Sequence, residues 1–205
     1  MPNNTSIELA VSGDSKVLQL FIASHIVKLD VPDKYSDETH HFDFNTIIPQ
    51  PALYARNAFS VTDKGVGMYG GIWEYKDEEL PAKLSEKYGH SDWYGWCVAN
   101  WGVKWNSYDN LLNTDTHDYN GSGSILLCFQ TAWTIPEGIF VELSELYPEL
   151  TFEVECLEEG GGFAGTIVYE EGFADETNLH TDIETWREVA TNMCGYEFDE
   201  DGNLI

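Results

Sequence analysis

The chain has 205 residues and carries 36 acidic against 10 basic side chains, a formal net charge of -26. That balance excludes direct binding to a nucleic-acid backbone, whose phosphates would meet like charge. Hydrophobic residues make up 42% and aromatics 14%, enough to bury a core and unlike an acidic disordered tail.

In chain order, Thr5 to Val11 alternates polar and apolar, with Ile7, Leu9 and Val11 on one side, as a half-buried strand does. Val17, Leu18, Phe21, Ile22 and Ile26 follow at helical spacing and predict a helix over 15–28. Asp30 to His41 reads as a polar loop, and Phe42 to Ile48 as a strand stopped by Pro49 and Pro51. A short helix is expected over 52–58, then a Gly-rich charged insertion without phosphate-loop spacing. A helix after Pro81 ends near Gly89, and Ser91 is placed to cap the next one, Asp92 to Trp101, closed by Gly102.

Val103 to Tyr108 reads as a strand, Asn110 to Gly123 as a polar loop, and Ser124 to Gln130 as a second strong strand. Thr134-x-x-Glu137 has the form of a capping box for a helix whose apolar face holds Ile139, Phe140, Leu143, Leu146 and Tyr147. Thr151 to Leu157 alternates with Phe152, Val154 and Cys156 inward. The chain then turns at Gly160-Gly161-Gly162, and Phe163 to Tyr169 returns as a hairpin partner. Thr181-x-x-Glu184 opens a last helix with Ile183, Trp186, Ala190 and Met193 on one face.

This order predicts an α+β fold: a ferredoxin-like, split β-α-β antiparallel sheet with helices on one face, plus an insertion and a C-terminal helix. The expected domain is 1–170, with the insertion at about 60–90, and 171–205 is an acidic helical extension packed on it. Cys97, Cys128, Cys156 and Cys194 are unclustered and read as reduced thiols, neither a disulfide framework nor a zinc site. No stretch reaches the length of a membrane span. The start, Met1-Pro2-Asn3-Asn4, reads as that of a cytosolic protein, so a cytoplasmic location is expected.

The segment Ser91-Asp92-Trp93-Tyr94-Gly95-Trp96-Cys97-Val98-Ala99-Asn100-Trp101-Gly102-Val103-Lys104-Trp105-Asn106-Ser107-Tyr108-Asp109 carries a resemblance. So do Phe42 to Pro49, Thr131-Ala132-Trp133 through Pro136, and the hairpin turn Glu158 to Gly165. Together they resemble the YubB-type ferredoxin-like family of phage and plasmid accessory proteins, over residues 5 to 170. The resemblance implies a fold without an iron–sulfur cluster, since no cluster-binding cysteine spacing exists. It brings no catalytic residues. It implies an accessory role in a mobile element, such as countering host defence.

Trp93, Trp96, Trp101 and Trp105 form an aromatic cluster. With only Lys104 nearby, it reads as core packing between helix and sheet and not as a base-stacking platform. His40-His41 matches no metal spacing, and Asp199, Asp201 and Asn203 only echo a calcium loop. No cofactor, metal or catalytic residue is therefore expected.

The informative pattern is acidic. From Trp105 onward there are 22 acidic residues and one basic residue, Arg187. Glu142, Glu145 and Glu149 share the exposed face of one helix, and Glu153 and Glu155 project from the solvent side of a strand. Glu158, Glu159, Glu170 and Glu171 flank the hairpin, followed by Asp175 and Glu176. The total charge equals that of about 44 Å of duplex DNA, and a compact chain of this length is roughly as wide. Such an excess serves solubility, and it also suits imitation of a nucleic acid. The expected partner is the basic surface of a host nucleic-acid-binding protein, with the aromatic cluster as the alternative site for a small ligand.

Overall fold

A computed structural model of the chain describes residues 3–29, 40–54, 79–112 and 123–205. Most of the expected insertion, and most of the loops over 30–41 and 110–123, lie outside the described residues. The described elements run β1 (Asn4–Gly13), α1 (Ser15–His25), β2 (Ile26–Lys28), β3 (His40–Phe42) and a 3-10 turn at Phe44–Thr46. Next come α2 (Leu80–Tyr88), α3 (Trp93–Trp101), β4 (Tyr108–Leu112), β5 (Ser124–Ala132) and α4 (Glu137–Leu146). The chain finishes with β6 (Leu150–Glu158), β7 (Ala164–Glu170), β8 (Phe173–His180) and α5 (Ile183–Cys194).

Six strands form one sheet in the order β4-β5-β1-β6-β7-β8, and β2 pairs separately with β3. Every pairing in the larger sheet is antiparallel. β1 lies between β5 and β6, which therefore run parallel to each other and are joined by α4. This is the split β-α-β unit of the ferredoxin-like fold.

Pleating sends alternate residues of β1 to opposite faces. Ile7, Leu9 and Val11 are buried on one side with Leu127, Phe129, Phe152, Val154 and Ile167. On this core face α1 lays Leu18 and Phe21, α3 lays Trp96, Cys97 and Trp101, and α4 lays Ile139, Phe140 and Leu143. Gly138 permits the close crossing of α4 and α3, because a Cβ there would collide with the Asn100 carbonyl. α5 instead takes the opposite face, where Trp186, Val189 and Ala190 cover Leu157 and Ala164.

Several expected details are redrawn by local hydrogen bonds. The strand expected over Phe42 to Ile48 stops at Phe42, because the Asp43 carboxylate accepts the Asn45 amide and winds the next residues into a 3-10 turn. The helix expected over 15–28 ends at His25, and Ile26–Lys28 becomes β2. Asp92, not Ser91, caps α3, accepting from the Gly95 amide at 2.8 Å. Neither expected capping box forms. Pro136 precedes α4 with no side-chain cap, and Asp182, not Thr181, caps α5 by accepting from Thr185. Ile183, expected on the buried face of α5, is 49% exposed. The strand expected over Val103 to Tyr108 instead begins at Tyr108. The extension after residue 170, expected to be helical, first supplies β8 to the sheet.

Two buried polar contacts pin the helical layer. The Trp101 indole N–H donates to the Ile48 carbonyl at 2.8 Å, and its ring lies edge-on against Phe44 and Trp96. His25, only 4% exposed, bonds Thr46 Oγ1 through Nδ1 and the Tyr147 hydroxyl through Nε2, both at 2.8 Å. The Thr46 hydroxyl donates its own proton to the Asp43 carbonyl, so it accepts from His25 Nδ1–H. Nε2 is left as the acceptor from Tyr147. The imidazole is thus held neutral, and burial lowers its pKa to about 4.

Trp101→Ala should cost about 3–5 kcal/mol, through a cavity in the core and a stranded Ile48 carbonyl, read as a large fall in melting temperature. His25 makes stability depend on pH. The unfolded imidazole takes its proton near pH 6.5 and the folded one near 4. The contribution of the neutral ring is complete above pH 6.5 and declines as pH falls toward 4. Comparing the chain with its His25→Gln variant by urea unfolding cancels the carboxylate effects common to both. Between pH 7 and pH 5 the parent should lose about 2 kcal/mol relative to the variant.

Candidate functional site

The face of the sheet opposite the main core, here the open face, is built by the other half of the pleat. Strand register arranges it in rows. Ser6 sits between Gln130 and Leu157 in a first row that continues to Ala164. Glu8 sits between Cys128 and Glu155 in the second, with Leu111 beyond Cys128 on β4. Ala10 sits between Leu126 and Glu153 in the third, which continues to Val168 and Asp175. Ser12 faces Thr151 in the fourth, which ends at Glu170 and Phe173. α5 covers the first row. Among the described residues, no secondary-structure element covers the other three.

The centre of this face is acidic. Glu8 and Glu155 are cross-strand neighbours on the two central strands. None of the six strands contains Lys or Arg. Burial raises the Glu155 pKa, and the charges of Glu8 and Glu153 push it further up. Between the carboxylates lie the half-buried Ala10, Leu126, Cys128 and Val168. Two exposed apolar side chains stand at the margins, Leu111 at 70% and Phe173 at 78%.

At the fourth row the face deepens into a groove of about 640 Å³, lined by Glu149, Thr151, Glu170, Glu171, Phe173 and Asp175 among others. Thr151 donates to Glu170 at 2.7 Å. The amide and hydroxyl of Thr177 donate to Asp175 and hold its carboxyl below the usual range.

The acidic residues expected from sequence therefore do not form one surface. The structure gathers Glu149, Glu153, Glu155, Glu170, Glu171 and Asp175 on or beside the open face. Glu142, half-buried, and Glu145, exposed, sit on α4, on the other side of the sheet. Glu159 is exposed at the β6–β7 turn, and Glu176 is exposed at the bulge in β8. Glu158 is a correction: it is 6% exposed and accepts the Gly162 amide at 2.8 Å. A carboxylate spent inside the turn is not available to a partner.

Of the tryptophans, Trp96 and Trp101 are buried in the core, and Trp93 packs against it. Trp105 has another role. The Lys104 ammonium lies 3.8 Å from its ring centroid and 3.7 Å from that of Trp133. Burial lowers the Lys104 pKa. Trp133, in the left-handed region at φ 73, is 45% exposed, with Tyr94 edge-on beside it. This aromatic corner holds a cation of its own.

The remaining candidates are structural. His41 contacts Asn110 at 3.2 Å, and Asp199 accepts the amides of Asp201 and Asn203 as a turn. Among the described residues no group of three or more His, Cys, Asp or Glu side chains is arranged to hold a metal ion. Nor is any described helix long and apolar enough to cross a membrane.

Residues 100–200 match the family model of the ferredoxin-like domain in Api92-like protein. The matched span takes in β4 to α5, including β8 and the acidic extension as far as residue 200. Among solved structures, that of a protein api92 from Yersinia pseudotuberculosis is similar at 9% identity with a TM-score of 0.45. The alignment covers 88% of this chain and 98% of that one. No curated protein matches. The ferredoxin-like fold expected from the YubB-type resemblance is the fold the matched model describes, and the relation it names is to Api92-like proteins.

Glu8 is the residue of this face that the sequence hides. It alternates correctly with Ile7 and Leu9, but only the pairing of β1 with β6 sets it against Glu155. Like charges directly opposite each other are destabilising. Glu155→Gln should therefore raise stability by about 0.2–1 kcal/mol at neutral pH and low salt. Because Glu155 takes up its proton more readily in the fold, the gain should shrink as pH falls through the carboxylate range. Thermal melts across pH and salt test both trends.

Proposed function

We propose that this protein is a non-catalytic inhibitor that presents its acidic sheet face to the basic surface of a nucleic-acid-binding protein and competes there with nucleic acid. The observation that carries this reading is the pairing of Glu8 with Glu155 at the centre of a six-stranded sheet devoid of Lys and Arg. A sheet face maintained only for solubility gains nothing from opposed carboxylates, and one or two lysines would relieve them. The repulsion is offset when a cationic surface lies across them. Net charge of -26 also steers a basic partner toward the protein over distances longer than contact.

In this reading the protein is a phage- or plasmid-type accessory factor acting in the host cytoplasm. Its targets are the nucleic-acid channels of defence complexes such as a CRISPR effector or a restriction enzyme. The alternative is an adaptor or small-ligand module centred on the aromatic corner, which the exposed Trp133 and Tyr94 favour.

The test is a titration of such a complex against labelled DNA, with and without this protein, at low and high salt. The protein should displace DNA, and displacement should weaken with salt because exposed charges are screened within about 8 Å at physiological ionic strength. Replacing Glu149, Glu153, Glu155, Glu170 and Glu171 with Gln keeps the shape and removes the charge. That variant should lose most of the displacement. Displacement equal to that of the parent rejects acidic competition, and Trp133→Ala then tests the aromatic corner.

A further inference from the structure

The open face already docks one helix. α5 rests Trp186, Val189 and Ala190 on Leu157 and Ala164, and its end brings the Cys194 thiol beside Ser6, where burial and then the charges of Glu8 and Glu155 raise the thiol pKa. It therefore crosses the strands along the first row, from β7 toward β1. Same-face residues repeat every ~6.8 Å along a strand. Packed helices lie about 8–10 Å apart. A second helix laid beside α5 would thus rest between the second and third rows, over Glu8, Ala10, Glu153 and Glu155.

Those rows have the chemistry of half an interface. The half-buried Ala10, Leu126, Cys128 and Val168 make an apolar floor. The carboxylates of Glu8, Glu153 and Glu155 rise from it on the two central strands. The exposed Leu111 ends the second row on β4, and Asp175 ends the third on β8. The face is too polar to be covered by another apolar surface and too apolar to be only a solvated one.

We infer that the second and third rows form a berth for a basic amphipathic helix of a partner protein, lying alongside α5. Its small apolar residues would meet Ala10, Cys128 and Val168, and its Lys or Arg side chains the three glutamates. Six strands span about 24 Å, so the helix would be about 16 residues long. A second copy of this chain does not suit the berth, because each copy carries a net charge of -26 and its lysine-bearing helices, α1 and α2, have only 11 and 9 residues. The inference rests on the reading that the acidic face meets a basic protein, and it names the element that is recognised.

The probe is a synthetic helix of about 16 residues with Leu on one face and Lys on the other, titrated against the full chain. A scrambled peptide of the same composition, unable to segregate its faces, is the control. Glu8→Gln, Glu153→Gln and Glu155→Gln together should weaken binding by about tenfold or more. Glu145→Gln, Glu159→Gln and Glu200→Gln together remove the same charge from other surfaces and should weaken it by less than about threefold. The scrambled peptide should bind at least as weakly as the first variant binds the helix.

Equal losses in the two variants, or equal binding of the two peptides, overturn the inference, since charge alone would then be read. Melting curves check the fold. Should the first triple variant not fold, the exposed Glu153→Lys alone carries the test, again with an expected loss of about tenfold. The DNA titration separates this inference from the functional reading. Berth-specific peptide binding without DNA displacement keeps the berth and rejects competition. Displacement with equal losses in both variants does the reverse.

Discussion

Everything in this molecule depends on β1 being hydrogen-bonded on both sides, to β5 and to β6. One strand of ten residues fixes the register of the whole sheet. Its pleat puts Ile7, Leu9 and Val11 into the main core and Glu8 and Ala10 onto the open face. A slip of one residue would bury Glu8 and expose three aliphatic side chains, so the burial energy that holds the core also holds the acidic face in place. The carboxylates are opposed because the hydrophobic side of the same strands leaves them no other arrangement.

The two faces divide the chemistry unevenly. The core face is closed by helices over an aromatic-rich core, in which Phe21, Phe42, Phe44, Phe129, Phe140 and Phe152 are all buried. The open face has one helix over its first row, and carboxylates beyond it. Glu145 on α4 is exposed, so its charge stays solvated and costs little. On the central strands acidic charge is partly desolvated, and the raised Glu155 pKa registers that cost. Two glutamates that look alike in the sequence, Glu145 and Glu155, thus differ in energetic meaning.

Buried polar groups act as fasteners between distant segments. His25 joins the end of α1 to the 3-10 turn and to the residue that ends α4, and its tautomer is dictated by the Thr46 hydroxyl. Glu158 organises the β6–β7 turn with its carboxylate, while its carbonyl accepts the Trp186 indole at 2.7 Å. That second bond ties α5 to the sheet. The Lys104 ammonium is held between the rings of Trp105 and Trp133. Cation–π contacts satisfy a desolvated ammonium without bringing a second charge into a dry site.

By itself the sequence determined the elements whose periodicity is strong. The alternation in β1, β5 and β6 and the helical spacing in α1, α3 and α4 arise from local geometry and appear in any window of a few residues. It also determined the ferredoxin-like class, since that order of elements has few economical packings. It misplaced those set by single hydrogen bonds, such as the 3-10 turn at Phe44, where one aspartate outbids strand propensity. β8 was missed because an edge strand exposed on both sides has no hydrophobic period to read. The site was half legible. Acidity is a composition and could be counted, but which glutamates share a surface depends on strand pairing between residues more than a hundred positions apart. Only the tertiary structure decided that Glu8 faces Glu155, that Glu158 is buried, and that Glu145 belongs to the other side of the sheet.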